Sequence, residues 1–426
     1  MSRLFGGVNN NDHILIMEAV VVVLGDLGRS PRMLNHSQSL LESNASVDLV
    51  GYLDNSIPEN LNQNPRLKVH SMSSFFLKFA RKLPRLLFIF YAVLRILLES
   101  LQLFWILMKL RNKKFILVQN PPCIPAFLVV FAVSCIKCVP FCIDWHNYGY
   151  TILEVNKRPS VVCKLAYCFE KWIGKFGNAH FCVSEGMKQH LKLEMGIEAQ
   201  VVYDRPKKSV VKKKYDMRQV LGIPKNYFLT VTSTSWTPDE NIGLVLEAVK
   251  ELQSYDLALV ITGKGPLREF YKEEIKKLNL EKALIKVVWL EWDQYPQLLQ
   301  QCDLGICLHV SSSGLDLPMK VVDMQAAELP ALAYDYPTIT EFIQPRVNGL
   351  LFKDSEQLAR AMVQVMKDKE ELLKYKQHIA EWKQKNTWED HWTEKGLPVL
   401  REVTPSILRT VLFWMLVTAV TLKFFV

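Results

Sequence analysis

Short apolar runs recur along the chain, separated by longer stretches in which apolar positions return at helical spacing. The runs at residues 19–24, 47–53, 115–118, 140–143 and 179–183 fall in the first half. Those at 227–232, 257–262, 285–290, 304–308, 331–334 and 350–352 fall in the second. Val, Ile and Leu dominate them and few polar residues interrupt them, as in strands covered on both faces of a parallel sheet. Helices fill the gaps. An apolar one over 127–133 is too short to span a bilayer, one over 161–176 carries Glu170, and a long one rich in Lys and Glu covers 362–387. Ser184 is placed to cap a helix starting at Glu185. Regular β–α alternation in both halves predicts an α/β chain of two Rossmann-like, doubly wound domains facing a cleft. The expected division is 15–205 for the first domain, 206–222 for a basic linker, 223–385 for the second, 386–404 for a return segment and 405–426 for a terminal apolar segment. Trp388 and Trp392, in the return segment, are expected to pack back on the first domain.

The chemistry-bearing residues sit just after the strands, where ligands bind in open α/β sheets. Behind the 304–308 run comes Ser311-Ser312-Ser313-Gly314-Leu315-Asp316-Leu317-Pro318-Met319-Lys320-Val321-Val322-Asp323. Small residues allow a tight turn, Asp316 is placed to cap a helix, and Pro318 suits its first turn. Such a helix start offers free N–H groups and a positive dipole end to an anion. Lys320 falls in the first turn and Asp323 one turn later on nearly the same face. A cation for phosphate and a carboxylate for ribose hydroxyls fit a nucleotide-sugar site; the turn alone fits an ordinary capped βα connection as well. A second anion-receptive start, Gly25-Asp26-Leu27-Gly28-Arg29-Ser30-Pro31, follows the first strand, with Ser30 placed to cap and Pro31 to begin the helix. Its glycine spacing is not the dinucleotide fingerprint, so a nicotinamide-dependent dehydrogenase is a poor match. Asp144-Trp145-His146-Asn147-Tyr148-Gly149-Tyr150 crowds polar and aromatic groups after the 140–143 run.

Composition narrows the partners. With 52 basic and 43 acidic residues the 426-residue chain carries +9, which suits phosphates or acidic headgroups. No basic-aromatic module or helix-turn-helix pattern points to nucleic acid. Nine cysteines, an odd number, fit free thiols; Cys135 and Cys138 have C-x-x-C spacing but nothing completes a zinc site. No Asp-x-Asp stands in a suitable loop, so no metal and no cofactor is expected.

Two stretches concern a membrane. Residues 75–110 mix Leu, Phe and Ile with Lys78, Arg81, Lys82, Arg85, Arg95 and Lys109. The charges argue against a crossing segment, leaving a helix on an anionic bilayer surface or a buried helix with a basic edge. Residues 407–426 are apolar except for Arg409 and Lys423 and are expected to form a C-terminal membrane anchor, whereas the first twelve residues are polar and no apolar segment precedes the first strand. The basic flank of Arg401 and Arg409 would keep the body cytosolic.

Taken together, the motifs resemble those of the chitobiosyldiphosphodolichol β-mannosyltransferases. The resemblance is carried by Val23 to Met33, Gln119-Asn120-Pro121-Pro122, Ile143 to Tyr150, Ser233-Thr234-Ser235-Trp236-Thr237, Ile261-Thr262-Gly263-Lys264-Gly265-Pro266-Leu267-Arg268-Glu269 and Ser311 to Met324, and extends from about residue 20 to 395. It implies a GT-B fold with the acceptor on the first domain and the nucleotide sugar on the second. It implies mannose transfer from GDP-mannose to dolichyl-diphosphate chitobiose with inversion, giving a β-1,4 bond on the cytosolic face of the endoplasmic reticulum, in a lipid-linked precursor for N-glycosylation. A complex with other dolichol-pathway transferases belongs to the same expectation. The chain departs from that family in lacking an N-terminal hydrophobic segment. It also lacks a basic pair in Trp236-Thr237-Pro238-Asp239-Glu240-Asn241, so positive charge for the donor diphosphate falls to Lys264, Arg268 and Lys320.

On this reading Ser235, Gly263, Ser313, Gly314, Leu315 and Pro318 line the donor, Asp323 takes ribose hydroxyls, and Glu341 contacts mannose or ribose. Gly25, Gly28, Arg29, Arg32 and Asn147 serve the acceptor, the two arginines gripping its diphosphate. His309 is either a phosphate donor or a core histidine. An inverting transfer needs a base and a stabilised leaving group. Asp26 follows the first strand, where several inverting GT-B enzymes carry the base, and is the preferred candidate; Asp144 and His146, a pair able to orient and titrate, are the alternatives. Rival readings are another GT-B transferase with a different nucleotide sugar and a membrane acceptor, and an inactive scaffold paralogue.

Overall fold

The computed structural model describes residues 17–73, 85–208, 214–237, 240–291 and 293–425, and of these the side chains of 85–90 and 419–425 are left aside. The polar start at 1–12, the opening of the 75–110 segment, Lys212, Lys213, Pro238 and Asp239 lie outside the described residues. The strands form two sheets of parallel strands. The first contains β1 (Glu18–Asp26), β2 (Ser46–Tyr52), β3 (Leu67–Met72), β4 (Phe115–Asn120), β5 (Phe141–Trp145), β6 (Ala179–Cys182) and β7 (Gln200–Val201), in the order β3-β2-β1-β4-β5-β6-β7. The second contains β8 (Phe228–Ser233), β9 (Leu257–Thr262), β10 (Leu284–Val288), β11 (Leu304–Cys307), β12 (Ala331–Tyr334) and β13 (Gly349–Phe352), ordered β10-β9-β8-β11-β12-β13. Helices connect the strands, and the expected doubly wound α/β class is what the chain adopts.

The unbroken apolar strands have a direct cause. In β9 the alternate residues Leu257, Leu259 and Ile261 join one core and Ala258 and Val260 the other, and all five are fully buried. A strand that buries both faces cannot carry the polar alternation of a half-exposed one. The same reasoning explains why β3 escaped notice. It is an edge strand with Lys68, His70 and Ser71 among its six residues, so no apolar run marks it.

By contacts the chain divides into two compact units, Met1–Ile143 with Phe176–Asn178 and Val403–Val426, and Asp144–Lys175 with Ala179–Glu402. In the first, the helix Pro31–Glu42 starts at the expected Pro31, but Ser30 donates to the carbonyl of Asp26 rather than capping with its side chain. In the second, Ser184 caps the helix Glu185–His190 by accepting the Met187 N–H at 2.9 Å, as expected. The single helix expected over 362–387 is instead two, Ser355–Lys367 and Lys369–Lys385. Asp368 divides them because its carboxylate takes the Glu371 N–H at 2.8 Å and starts a new helix. All nine cysteines are free thiols.

Trp388 and Trp392 are each 1% exposed. Around them the Trp388 N–H donates to the Pro206 carbonyl at 2.9 Å, and the Tyr203 N–H to His391 at 3.0 Å. Trp388→Ala is therefore expected to cost about 3–5 kcal/mol of stability in urea unfolding; a loss below ~1 kcal/mol would show that this segment is not part of the core of its unit.

Candidate active site

In the second sheet β8 lies next to both β9 and β11, so the winding direction reverses there and a crevice opens outside the carboxyl ends of β8 and β11. Lys320, in the first turn of the helix Met319–Ala326, reaches across that point and donates to the carbonyl of Ser233, the last residue of β8, at 2.9 Å. Its ammonium also pairs with Glu240. Glu240 further accepts the Thr234 hydroxyl at 2.7 Å and the Ser235 N–H at 2.8 Å. Burial pushes the Glu240 carboxyl up, but Lys320 and these donors together bring it below the usual glutamate value. Sequence reasoning noted that this loop has no cation and did not see that its glutamate is the counter-charge. The only trace in the sequence was a Glu beside a predicted strand end.

The glycines here are steric necessities. Gly263 has φ +141°, and a Cβ on it would stand 1.7 Å from the Thr234 carbonyl oxygen. A Cβ on Gly265 would meet the Ser235 carbonyl at the same distance. The loops after β8 and β9 therefore lie against one another, with Trp236 Nε1 donating to the Gly263 carbonyl at 3.1 Å. Of the expected cations, Lys264 is exposed and stands over the Trp289 ring, 3.8 Å from its centroid. Arg268 pairs with Glu269 at 3.2 Å, and its Nε is buried with no hydrogen-bond partner. Asp323 opens to solvent on one side, yet desolvation by the surrounding protein pushes its carboxyl up to about 6, with Lys320 pulling the other way.

The loop after β11 is tied together by Asp316. Its carboxylate accepts from Ser311, from Asn147 Nδ2 at 3.1 Å, and pairs with His309 Nε2 at 2.9 Å. Asp316 is thus not the helix cap expected from its position. Pro318 stands at the N-cap, one residue before the first turn, and no side chain caps that helix start. With the Asp316 carboxylate engaged sideways, the N–H groups of that turn keep no capping side chain. Ser311 and Ser313 accept the Leu315 N–H at 3.1 and 3.2 Å, and Gly314 supplies the positive φ of +71° that the turn requires. His309 is half-buried and engaged with Asp316.

Asn147 belongs to this same unit and also donates to Ser312 at 3.1 Å, so it joins the loop of the donor candidates. One residue earlier, His146 Nε2 meets the fully buried Asp144 carboxylate at 2.7 Å. A cavity of about 850 Å³ opens at Asn147, lined also by Thr237, Asn241, His309, Ser312 and Lys353. Glu341 is placed elsewhere. Its carboxylate accepts the N–H groups of Glu185 and Gly186 at 2.9 and 3.1 Å and the Tyr203 hydroxyl at 2.7 Å, an anion on a helix start. Among the described residues no group of three or more His, Cys, Asp or Glu side chains could hold a metal ion.

The acceptor candidates of the first unit surround the end of β1, at that sheet's own reversal, β1 beside β4. Asp26 holds a loop by accepting the Asn55 N–H at 3.1 Å and the Asn55 side-chain amide. Gly28 is needed there because a Cβ would stand 2.8 Å from the carbonyls of Asn55 and Ser56, whereas Gly25 would meet only Val23 at 3.7 Å. Arg29 is exposed and lies 3.7 Å from Asp26. Arg32 is buried.

Two parallel sheets, each with its own reversal point, are the layout of the GT-B sugar transferases. The family model for glycosyl transferases group 1 matches residues 213–382. A glycosyltransferase structure from Rickettsia africae superposes with a TM-score of 0.67 at 16% identity, covering 91% of this chain and 99% of that one, and shows the same fold. Among curated relatives, the chitobiosyldiphosphodolichol beta-mannosyltransferase of Kluyveromyces lactis is 35% identical over 90% of this chain and 89% of its own length. A protein of Arabidopsis thaliana named UDP-glycosyltransferase TURAN is 33% identical over 91% and 98%. The chain belongs to the chitobiosyldiphosphodolichol beta-mannosyltransferase family of glycosyltransferases.

Two expectations follow. Glu240→Ala strands the Lys320 ammonium and is expected to cost about 3–5 kcal/mol in denaturant unfolding, while the double change Glu240→Gln with Lys320→Met restores most of it. Equal losses in both would show that the pair is not coupled. Asp323, raised in the folded chain, favours folding only while protonated, so its contribution falls as pH rises from the ordinary aspartate value through about 6. Asp323→Asn should therefore raise the melting temperature at neutral pH, by a margin that narrows as the pH is lowered through about 6; a constant margin contradicts the assignment.

Proposed function

We propose that this chain transfers mannose from GDP-mannose to the terminal N-acetylglucosamine of dolichyl-diphosphate chitobiose, with inversion, to give a β-1,4 bond. The observation that carries this reading is the 35% identity over 90% of the chain with a relative named for that reaction. The site supplies a consistent chemistry. The donor diphosphate sits at the bare start of the helix Met319–Ala326, where Lys320 and the backbone N–H groups take up the charge that grows on the leaving GDP. Lys264 and Arg268 add positive charge, Asp323 takes ribose hydroxyls, and no metal is called for. His146, oriented by Asp144, removes the proton of the acceptor hydroxyl as that oxygen attacks the anomeric carbon and the bond to GDP breaks. Asp26 is the less favoured base because Asn55 engages both of its carboxylate oxygens. Arg29 and Arg32 belong to the acceptor diphosphate. The acceptor fixes the setting as the endoplasmic reticulum membrane, with the folded units in the cytosol and the C-terminal helix Ile407–Phe425 as anchor. Association with other dolichol-pathway transferases is part of the same proposal.

A second reading, a UDP-sugar donor, is favoured by one observation, the name of the Arabidopsis relative. The test is a transfer assay with labelled GDP-mannose and phytanyl-diphosphate chitobiose, with chelator present and β-mannosidase digestion of the product. The expected product forms under chelation and is cleaved. Transfer only from a UDP-sugar would overturn the donor assignment. In the same assay His146→Gln should lower kcat by roughly 10²–10⁴-fold; near-native turnover in His146→Gln, with Asp26→Asn inactive, would move the base to Asp26.

A further inference from the structure

The helix Arg85–Lys109 has two unlike sides. Tyr91, Glu99, Leu103 and Leu107 are buried at positions four or eight apart. This side packs on β3 and on the helix Ala126–Lys137, and Glu99 accepts the Tyr52 hydroxyl of β2 at 2.7 Å. Lys137 fastens the far end by donating to the carbonyls of Leu107 and Leu110. Val93, Leu97, Leu101 and Trp105 recur every fourth position along another stripe, with Leu94 beside them, and all are exposed, Trp105 to 61%. Soluble surfaces seldom leave such a continuous apolar stripe bare.

By length and composition the window Tyr91–Lys109 could cross a bilayer. Its packing forbids that. A crossing helix must present lipid-compatible neighbours throughout, yet β3, alongside this one, carries Lys68 and Ser71 exposed to solvent. Hydrocarbon would strip those groups of water without replacing it. A bilayer surface satisfies both sides at once, with apolar side chains below the headgroups and the folded unit above them. The charges agree, because Lys109, Arg111 and Lys114 are all exposed at the helix's carboxyl end, where anionic headgroups would meet them. The helix Ala126–Lys137 also touches the apolar helix Ile407–Phe425, where Phe131 and Phe413 meet edge to face at 6.1 Å. One folded unit therefore carries both elements.

We propose that the helix Arg85–Lys109 lies in the plane of an anionic bilayer, its Val93–Leu97–Leu101–Trp105 stripe immersed and its basic end on the headgroups. The proposal rests on the reading that the acceptor is lipid-linked, but its test does not depend on activity. The full chain is bound to phosphatidylcholine vesicles, with and without phosphatidylserine, containing lipids spin-labelled at a shallow or a deep acyl position. Quenching at residue 105 is the difference between the native chain and Trp105→Phe; residue 97 is read from Leu97→Trp in the Trp105→Phe background. The expected result is the same shallow-weighted quenching at both positions, and tighter binding to the anionic vesicles. A helix that crosses would separate the two positions by about 12 Å in depth and give opposite profiles, which would overturn the proposal. No quenching at either position on vesicles that bind the protein would also overturn it and assign the stripe to a protein partner. Leu97→Glu with Leu101→Glu should weaken binding to anionic vesicles by roughly tenfold while leaving any detergent-solution transfer activity at the native level. Unweakened binding with retained activity counts against the proposal.

Discussion

The second unit is organised around one ion pair, Lys320 with Glu240. The lysine comes from a helix that follows β11, the glutamate from the loop that follows β8, and the reversal of strand order makes those strands neighbours. Glu240 is almost fully buried, and an unpaired carboxylate there would be prohibitive. The pair therefore fixes the distance from the β8 loop to the helix start. It also sets the electrostatics of the crevice. A lysine that meets a diphosphate here does so with its own counter-charge beneath it, so the backbone N–H groups of the uncapped helix carry part of the anion's charge.

The neighbouring loops obey the same constraint. Gly263 and Gly265 admit the Thr234 and Ser235 carbonyls at distances that no side chain allows, and so hold those residues where Glu240 can accept from them. On the other flank, Asp316 gathers Ser311, His309 and Asn147, which leads directly to the Asp144–His146 pair. A site assembled from polar groups that satisfy one another is preorganised, and preorganisation is where transition-state stabilisation resides. The raised carboxyl of Asp323 is the counterpart, a group whose ionised form the fold disfavours.

Much of this was legible in the amino-acid order. Strands buried on both faces announce themselves as apolar runs, and β9 and β12 lie where the runs placed them. The helix starts at Pro31 and Glu185 followed from proline and serine chemistry. What stayed hidden depends on long-range pairing. β3 has no apolar run because it is an edge. Asp316 had the right spacing to cap, but His309, Ser311 and Asn147 compete for it with better geometry. Glu240 carried no signal of its own because its partner lies eighty residues away. The buried state of Arg32 and the grip of Asn55 on Asp26 are likewise tertiary facts.

The central claim is that Lys320 and the bare helix start receive a nucleoside diphosphate. Calorimetric titration of the full chain with GDP and with GMP tests it most directly, because the two ligands differ only in the phosphate that this pair would hold. The account predicts that GDP binds at least roughly tenfold more tightly than GMP, and that the double change Glu240→Gln with Lys320→Met, which leaves no buried charge unpaired, removes most of that difference while GMP affinity changes little. Equal affinities for GDP and GMP, or a difference that survives in the double variant, would contradict it.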